Sequence, residues 1–400
     1  MITAAIICEY NPFHNGHKYH IEETRRMTNS EYIIAIMSGN YVQRGEPAFL
    51  DKWARCKMAL EEGADLVLEL PSIFSCASAE YFASGAIDMI NKTGSVQYLS
   101  FGSESGDLEA LQDTADKLQN ETVEYKNLLK NALKQGKSFP AARQQALGIS
   151  RAGPNDVLAL EYMVSLQKSR GTTTPITIKR QGSDYQAVSL SGKMSSATAI
   201  RNSLSEGDTL ISETMPTNAY DILLAEIACG RAPVKLENFE FYIITALRRL
   251  GPTGIKTLPF VSEGLEYRIY EGACKFTALS ELLKFCTSLR YTETRIRRIL
   301  TALLTGVSAE LLDHYKSGPM VPYLKVLGIK DCAFPLMKNI NKNSAVPIIN
   351  CPGRDIGKLD NDGTALLLLE KTATDIYCMG YPNTKMRTAG QEFTRKLVRI

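Results

Sequence analysis

The chain has 400 residues, of which 44% are hydrophobic and 22% are charged. This length and composition predict a globular protein of about two domains and exclude a disordered or fibrous chain. The formal net charge of +3 does not by itself indicate nucleic-acid binding, although a local basic surface remains compatible with it.

The cysteines and the N-terminal residues indicate the cellular compartment of the protein. The 9 cysteines are scattered, and no two of them have the C-x-x-C spacing of a zinc or redox site. Free thiols in a reducing compartment are the simplest interpretation. The first apolar run ends at Glu9 and has no basic start, which predicts a buried strand rather than a signal peptide. Since no segment has the roughly 18 apolar residues of a membrane span, we expect a cytoplasmic protein without membrane contact.

Strand-like and helix-like segments alternate through the first half of the sequence. The predicted strands are residues 2–8, 32–37, 65–70, 96–101 and 174–180. The predicted helices between them are residues 14–27, 51–62 and 79–91. This alternation is typical of a parallel sheet with helical crossovers. Ligands bind such sheets beyond the carboxyl ends of the strands, so the loops after Cys8, Met37, Leu70 and Phe101 are where a site is expected.

The second half has a different pattern. Residues 107–167 are predicted to be mostly helical, and residues 182–201 form a loop that opens into a helix. A polar segment rich in helix breakers at residues 205–218 predicts a domain boundary. Beyond it the predicted helices are residues 242–250, 279–288, 292–305 and 309–315. Within residues 339–384, strand-like pieces such as residues 364–369 interrupt this pattern.

These patterns predict an α/β fold in two parts. Residues 1–210 are predicted to form a Rossmann-like, ATP-binding catalytic domain with a parallel sheet. Residues 211–400 are predicted to form a mostly helical domain.

The tetrapeptide His14-Asn15-Gly16-His17 directly follows the first predicted strand and begins the first predicted helix. A helix N-terminus presents unpaired N–H groups and a partial positive charge, which attract phosphate. Gly16 allows close approach of a ligand, both imidazoles can donate to phosphate oxygens, and Lys18 adds a charge. Alternatively, His14 and His17 cap and pack an ordinary helix start. Three of the 4 histidines lie within the first 20 residues, which favours the phosphate site.

A second motif, KMSSATAIR, occupies residues 193–201 at a predicted helix start. Hydroxyl and backbone N–H groups there can hold a triphosphate, and Arg201 can neutralise charge on departing pyrophosphate. The alternative is a surface helix capped by serine or threonine, with solvated basic residues. The candidate catalytic residues of this motif are Lys193, Ser195, Ser196, Thr198 and Arg201.

Together, the two motifs resemble the paired signature of HIGH-type nucleotidyltransferases. Further segments make the chain similar to the tRNA(Met) cytidine acetate ligase family, over residues 1–205 and again near residue 290. These segments are CEYNPFHNGH, SGNYVQRGEPAFLDKWARCKMAL, GADLVLELP, FGSES, KMSSATAIR and RYTETRIRRILTALL. The resemblance implies that acetate attacks ATP to give acetyl-adenylate and pyrophosphate. The acetyl group then passes to N4 of the wobble cytidine of elongator tRNA(Met), giving N4-acetylcytidine.

The resemblance also implies an ATP site, with His14 and His17 as catalytic residues beside those of the second motif. The implied contacts in the first loop are Ile7, Cys8, Glu9, Tyr10, Asn11, Pro12, Phe13, His14, Asn15, Gly16, His17, Lys18, Tyr19 and His20. Gly102, Asn155 and Arg180 complete the implied contacts. Asn155 is equally well explained as a helix cap. The alternative for Arg180 is a solvated strand end, but its place at the carboxyl end of a predicted strand favours a ligand contact. Mg²⁺ is expected to arrive with ATP, and no separate metal site is predicted.

A basic segment of the second half is the candidate RNA surface. It contains Arg290, Tyr291, Arg295, Arg297 and Arg298, and these residue types suit phosphate contacts and base stacking. Short basic runs are more often solvated helix faces, but the resemblance favours contact with tRNA rather than with DNA.

Two other functions are compatible with the motifs alone. The first is a small-molecule adenylyltransferase acting on a coenzyme precursor, and the second is a non-catalytic RNA-binding protein that keeps a nucleotide pocket. The long helical second half argues against the first alternative, and the presence of both phosphate motifs argues against the second.

Overall fold

The computed structural model describes residues 1–148, 153–169, 171–180, 193–206 and 209–400. The strands of this part of the chain are β1 (Thr3–Cys8), β2 (Tyr32–Ser38), β3 (Tyr41–Val42), β4 (Glu46–Pro47), β5 (Leu66–Leu70), β6 (Tyr98–Ser103), β7 (Thr174–Lys179), β8 (Leu324–Ile329), β9 (Ile348–Ile349) and β10 (Val398–Arg399). Most of the loop predicted at residues 182–201 lies outside the described residues.

The helices of the first half are α1 (Asn15–Thr28), α2 (Lys52–Glu61), α3 (Ser72–Ser75), α4 (Ala79–Thr93), α5 (Leu108–Gln119), α6 (Val123–Lys134), α7 (Phe139–Ala146), α8 (Pro154–Ser169) and α9 (Ala197–Glu206). Those of the second half are α10 (Thr217–Ala228), α11 (Glu240–Ile255), α12 (Leu265–Lys275), α13 (Leu279–Cys286), α14 (Glu293–Thr305), α15 (Ala309–Ser317), α16 (Phe334–Asn343), α17 (Pro352–Asp355), α18 (Asn361–Met379) and α19 (Gln391–Thr394). Short 3-10 helices lie at Thr209–Glu213, Leu236–Phe239, Asp331–Ala333, Ile356–Lys358 and Thr384–Met386. None of the helices in these ranges is long and apolar enough to cross a membrane.

The central sheet has the strand order β10-β8-β5-β2-β1-β6-β7, with β9 paired to β8. β1 pairs in parallel with β2 on one side and with β6 on the other. The chain first extends the sheet from β1 through β2 to β5 and then returns to the opposite side of β1 with β6 and β7. The loops after β1 and β6 therefore diverge, and such a switch point is where α/β sheets bind ligands.

The central residues of β1 and β2 are all apolar, because helices cover both faces of the sheet. Alternate residues of β2 belong to different cores, with Ile34 and Ile36 on one face and Ile33 and Ala35 on the other. All four side chains are fully buried. Burial of an isoleucine contributes about 1.5–3 kcal/mol, so this pattern fixes the register of β2 firmly.

The second half contributes to the sheet as well as to a helical layer. β8 pairs antiparallel with β5, and β10 pairs in parallel with β8. The predicted α/β class with a mostly parallel sheet is confirmed. The division into residues 1–210 and 211–400 stays a prediction.

One local prediction is wrong, since residues 364–369 lie within helix α18 rather than in a strand. Leu366 and Leu367 are buried, as are Glu370, Ala373 and Tyr377 further along, which is a helical spacing. A run of a few leucines cannot distinguish a buried strand from one turn of a buried helix, so only the longer period settles the element type.

A buried network of charged side chains, hereafter the charge network, connects the two halves of the sequence. It consists of Lys52, Glu69, Lys325 and Glu392. Lys52 Nζ lies 2.6 Å from Glu69 Oε1 and 2.6 Å from Glu392 Oε2. Lys325 Nζ lies 2.7 Å from Glu69 Oε2 and also contacts Glu392. Burial alone would raise the pKa of Glu69, but Lys325 and Lys52 hold it at about 2.

Candidate active site

The turn between β1 and α1 is held by two histidines. His14 is the N-cap of α1, and its Nδ1 accepts a hydrogen bond of 3.1 Å from the backbone N–H of Gly16. His17 Nδ1 accepts a hydrogen bond of 3.2 Å from the backbone N–H of His14. The two rings stack with their centroids 3.7 Å apart. The capping alternative thus describes these bonds correctly.

The caps define the protonation of both rings. Because Nδ1 accepts in each case, a neutral ring carries its proton on Nε2 and can donate from that atom. Burial, together with Arg180 and Arg201, lowers the pKa of His14 to about 3. Burial and the neighbouring His14 also lower the pKa of His17. Both rings are therefore neutral N–H donors near pH 7.

His20, one turn further along α1, shares this environment. Its Nε2 lies 2.9 Å from Ser100 Oγ on β6, and burial followed by the charge of Arg180 lowers its pKa to about 4. We expect the three histidines to make stability depend on pH. The unfolded chain takes up protons below the unperturbed pKa of about 6.5, whereas the folded protein does not, so stability falls as the pH is lowered from about 7 towards 4.

This pH dependence can be measured with a variant of one histidine. His20→Gln keeps a hydrogen-bonding group for Ser100 but removes one titrating site. Each such histidine contributes at most about 1.4 kcal/mol per pH unit, so the variant should lose stability less steeply than the parent protein between pH 6.5 and 4.5. Urea unfolding at several pH values measures both slopes. Equal slopes would show that His20 is not neutral in the folded state.

Two adjoining cavities of about 160 Å³ and about 50 Å³ lie beside these histidines. The larger, hereafter the nucleotide cavity, is lined by predicted residues Ile7, Cys8, Glu9, Tyr10, Asn11, His14, His17, His20, Gly102, Asn155, Arg180, Ser196, Thr198 and Arg201. The smaller one adds Gly16, Tyr19 and Ser195. The structure thus brings the two distant motifs together at the switch point of the sheet.

The remaining predicted nucleotide contacts lie outside these cavities. Phe13 is fully buried in the hydrophobic core, and Pro12 precedes it in the same turn. Lys18 forms an ion pair of 3.0 Å with Glu62. Asn15 Nδ2 donates to the backbone carbonyl of Lys193 at 3.0 Å, which joins α1 to the second motif, while the Lys193 side chain is exposed.

The glycines of the site permit close packing of its charged and ring side chains. A Cβ on Gly16 would lie 3.0 Å from Cε1 of His14, so a larger residue would crowd this ring where it folds over the helix start. Gly102 lies within β6, not after it as the predicted strand end implied. A Cβ on Gly102 would lie 3.4 Å from Arg180 Cγ.

The start of α8 borders the nucleotide cavity through Asn155. The helix begins at Pro154, so Asn155 is its second residue rather than its cap. Glu104 accepts hydrogen bonds from Asn155 Nδ2 at 2.6 Å and from the backbone N–H of Asp156 at 2.7 Å. Glu104 therefore accepts a free backbone N–H at the start of α8 and orients the Asn155 amide. The position of Glu104 after the fourth predicted strand did not indicate this role.

Arg201 connects three parts of the site. Its Nη1 donates a hydrogen bond of 2.6 Å to the carbonyl of Asn11, and its Nη2 lies 3.4 Å from Glu46 Oε1. Ser196 Oγ accepts from the backbone N–H of Ala199 at 3.1 Å and so caps α9, as the alternative interpretation of that motif supposed. Because Ser196 also lines both cavities, capping and ligand contact are compatible.

Sequence reasoning left the hairpin of β3 and β4 unassigned. Its residues Gln43, Arg44 and Glu46 line the nucleotide cavity. The sequence did contain an indication of this, because the hairpin follows Met37, after which a site loop was expected, and it carries charged residues. Asp51 and Lys52, also unassigned, begin α2 as buried residues.

The predicted RNA-binding residues fall into two groups. Arg290, Tyr291 and Arg295 hold the segment at residues 260–263. Arg290 pairs with Glu263, and Arg295 Nε donates to the carbonyl of Phe260 at 2.8 Å. The Arg295 guanidinium also lies 5.2 Å from the centre of the Tyr291 ring.

Arg297 and Arg298 face the hairpin instead. Arg298 Nε donates to the carbonyl of Gln43 at 2.8 Å, and burial lowers the pKa of Arg298 to about 10. Arg297 Nε lies 2.8 Å from Glu293, and its Nη1 lies 3.9 Å from Glu46. The five residues thus do not form one open face, and their contact with RNA stays a prediction. In the part of the chain that the structure describes, no three His, Cys, Asp or Glu side chains are placed to hold a metal ion.

Several known proteins are similar to this chain over nearly its whole length. The sequence model of the HIGH nucleotidyl transferase family matches residues 1–392. The chain is 40% identical to the tRNA(Met) cytidine acetate ligase of Acetivibrio thermocellus, over all of both chains. It is also 40% identical to the enzyme of that name from Caldicellulosiruptor saccharolyticus, over 95% of this chain and 94% of that one.

Two solved structures have the same fold. Thermotoga maritima TmcAL in its apo form superposes with a TM-score of 0.95 at 33% identity, and each chain is covered completely. The same protein bound with alpha-thio ATP superposes with a TM-score of 0.93 at 32% identity, again over 100% of both chains.

Proposed function

Because the chain belongs to the tRNA(Met) cytidine acetate ligase family of HIGH nucleotidyltransferases, we propose that it activates acetate with ATP and acetylates a tRNA cytidine. The acceptor is N4 of the wobble cytidine of elongator tRNA(Met), and the products are N4-acetylcytidine, AMP and pyrophosphate. The observation that carries this proposal is the meeting of His14 and His17 with Ser196, Thr198 and Arg201 around one cavity.

In the first step, a carboxylate oxygen of acetate attacks the α-phosphorus of ATP and pyrophosphate leaves. The transition state gathers negative charge on the phosphate oxygens, so fixed donors accelerate it more than they strengthen substrate binding. The Nε2–H groups of His14 and His17 are such donors, because the caps hold both rings and both tautomers in place. The N-terminus of α1 adds its partial positive charge.

The departing pyrophosphate requires cationic partners. Arg201 is fixed by its bond to the carbonyl of Asn11 and borders the nucleotide cavity, so its guanidinium can neutralise the leaving group. Arg180, which lines both cavities, supplies a second charge. Lys193 and Ser195 of the same motif are proposed to hold the outer phosphates.

Mg²⁺ is proposed to enter with ATP and to supply charge neutralisation at the phosphates. A hard cation of this kind is held mainly by phosphate oxygens and water, which agrees with a site that is rich in donors and poor in carboxylates. Glu9 and Glu46 are the acidic residues that line the nucleotide cavity. The protein residues thus bind and orient the triphosphate rather than forming a separate cation cage.

The second half of the chain is proposed to hold the tRNA. Arg290, with its side chain 51% exposed, and the neighbouring Tyr291 and Arg295 offer charge and a ring for backbone contacts and stacking. Affinity from such contacts depends on salt, because each neutralised phosphate releases counterions.

Product analysis tests the proposed function. The purified protein is incubated with labelled acetate, ATP, Mg²⁺ and unfractionated tRNA, and the RNA is then digested to nucleosides and separated. We expect label in N4-acetylcytidine only, with one AMP and one pyrophosphate formed per acetyl group. A tRNA(Met) transcript with uridine at the wobble position should remain unlabelled. Adenylation of a phosphorylated coenzyme precursor without RNA labelling would instead identify a small-molecule adenylyltransferase.

A further inference from the structure

A third cavity, of about 770 Å³, adjoins the nucleotide cavity and is called the side cavity here. The two share four lining residues, Arg44, Glu46, Thr198 and Arg201. None of the three histidines of α1 lines the side cavity. A group in the side cavity would therefore approach the nucleotide cavity past these four shared residues and not past the histidines.

The second half of the chain builds much of the wall of the side cavity. Val234 and Leu236 give it apolar surface together with Pro47, and Arg297 of α14 gives it a guanidinium. Most of the remaining lining is polar, and its charged residues are Arg44, Glu46, Arg201, Lys235, Glu237, Glu293 and Arg297. Apolar surface beside such groups suits a ring that carries hydrogen-bonding edges, as a nucleotide base does. The volume lies within the range of about 300–1,000 Å³ that is usual for small-molecule sites, so one nucleotide base can enter.

Glu46 lies at the junction of the two cavities. Its Oε1 is 3.4 Å from Arg201 Nη2, and its Oε2 is 3.9 Å from Arg297 Nη1. Its side chain is 23% exposed. Neither contact is a short hydrogen bond, so the Glu46 oxygens can still accept one from a substrate.

The hairpin that carries Glu46 is held from several sides. Glu9 Oε1 accepts from the backbone N–H of Gln43 at 2.9 Å, and Arg298 Nε donates to the carbonyl of the same residue. Gly45 has φ +76°, and a Cβ there would collide with the backbone of Arg298. Tyr41 on β3 is fully buried among the helices of the second half. The position of Glu46 is therefore set by both halves of the chain.

We propose that the side cavity receives the acceptor cytosine and that Glu46 is the catalytic base that accepts the proton of its N4 amine. A carboxylate is the side-chain group that pairs with cytosine N4, whereas a guanidinium can donate to the O2 and N3 acceptors. Arg297 is placed to do the latter from the wall of the cavity. This assignment rests on the proposed function and names the acceptor site within it.

The transfer step forms one bond and breaks another. The N4 lone pair attacks the carbonyl carbon of acetyl-adenylate, and a C–N bond forms. The bond between that carbon and the phosphate oxygen breaks, and AMP leaves with the electron pair. The nitrogen loses one proton to the Glu46 carboxylate, which releases it to solvent after AMP has left. An exocyclic cytosine amine is a weak nucleophile, so removal of its proton as the bond forms should contribute strongly.

The variant Glu46→Gln tests the assignment, because it keeps the size of the side chain and removes its basicity. Two half-reactions are measured on the full-length variant: acetate-dependent exchange of pyrophosphate into ATP, and single-turnover transfer of labelled acetyl to tRNA. A general base contributes about 100- to 10,000-fold, so transfer should fall at least about 100-fold, whereas exchange should fall less than tenfold. Glu46→Asp, which keeps a carboxylate, should recover part of the transfer rate.

A matched control is Glu226→Gln. Glu226 also pairs with an arginine, Arg231, and its side chain is 14% exposed, but it lines neither the side cavity nor the nucleotide cavity. Both half-reactions should keep the parent rates in this variant. Equal losses of exchange and transfer in Glu46→Gln would overturn the assignment by placing Glu46 with Arg201 in the first step, and unchanged transfer would overturn it directly. Absence of both half-reactions in the parent protein would instead contradict the proposed function itself.

Discussion

Replacing His17 with asparagine is expected to reduce acetate-dependent pyrophosphate exchange by roughly 100- to 1,000-fold, the loss typical of removing one fixed donor to a transition state. The asparagine side chain can still accept the hydrogen bond that the backbone N–H of His14 makes to Nδ1 of His17. It cannot reach the position of Nε2. The variant therefore separates the donor from the helix cap.

The exchange assay should be accompanied by measurements of tRNA affinity and of thermal stability. Both should remain close to the values of the parent protein, because the cap is kept and the predicted RNA residues are elsewhere in the chain. His314→Asn is the matched control, since His314 is exposed and pairs with Asp362 in the second half. A parallel loss of exchange and stability in the His17 variant would mean that His17 acts only as a structural residue.

Replacing Lys52 with methionine is expected to destabilise the protein by roughly 3–5 kcal/mol, the usual cost of breaking a buried ion pair from one side. Lys52 is fully buried in the charge network, between Glu69 and Glu392. Without its charge the two carboxylates depend on Lys325 alone, whose own pKa is lowered by burial. The nearby Glu370, which accepts from Ser72, has its pKa raised to about 7 by burial and by Glu69.

Urea unfolding measures this loss, and the double variant Lys52→Met with Glu392→Gln provides an internal test. Removing one uncompensated carboxylate should recover part of the lost stability, which a double-mutant cycle reports as a coupling between the two sites. Arg26→Met, which breaks the exposed pair of Arg26 with Glu23, should leave stability unchanged within error. A Lys52 variant as stable as the parent protein would show that the network contributes no net stability.

Local patterns were enough to predict the centre of the fold. β1, β2 and β5 are buried on both faces, so most of their residues are apolar and the strands can be recognised from composition. The sheet edge was not predictable in this way. β10 consists of only Val398 and Arg399 and pairs with β8, a contact that no local period encodes.

The candidate site shows the same difference between residues in local motifs and residues placed by distant contacts. Each of the two phosphate motifs is one continuous stretch of sequence with its own helix start. His14 and Ser196 could therefore be singled out as candidates from the sequence. Glu46 and Arg298 could not be placed, because their positions depend on packing between the hairpin and α14, more than 200 residues apart. Arg298 also shows the limit of composition, since a basic run predicts charge but not the direction in which each guanidinium points.

Isotope exchange between pyrophosphate and ATP, measured in the presence of acetate and in the absence of tRNA, tests most directly whether this protein forms acetyl-adenylate. The arrangement of His14, His17 and Arg201 predicts exchange that requires acetate, saturates with it and needs no RNA. Exchange that is absent with acetate, whether or not tRNA is added, would contradict the account.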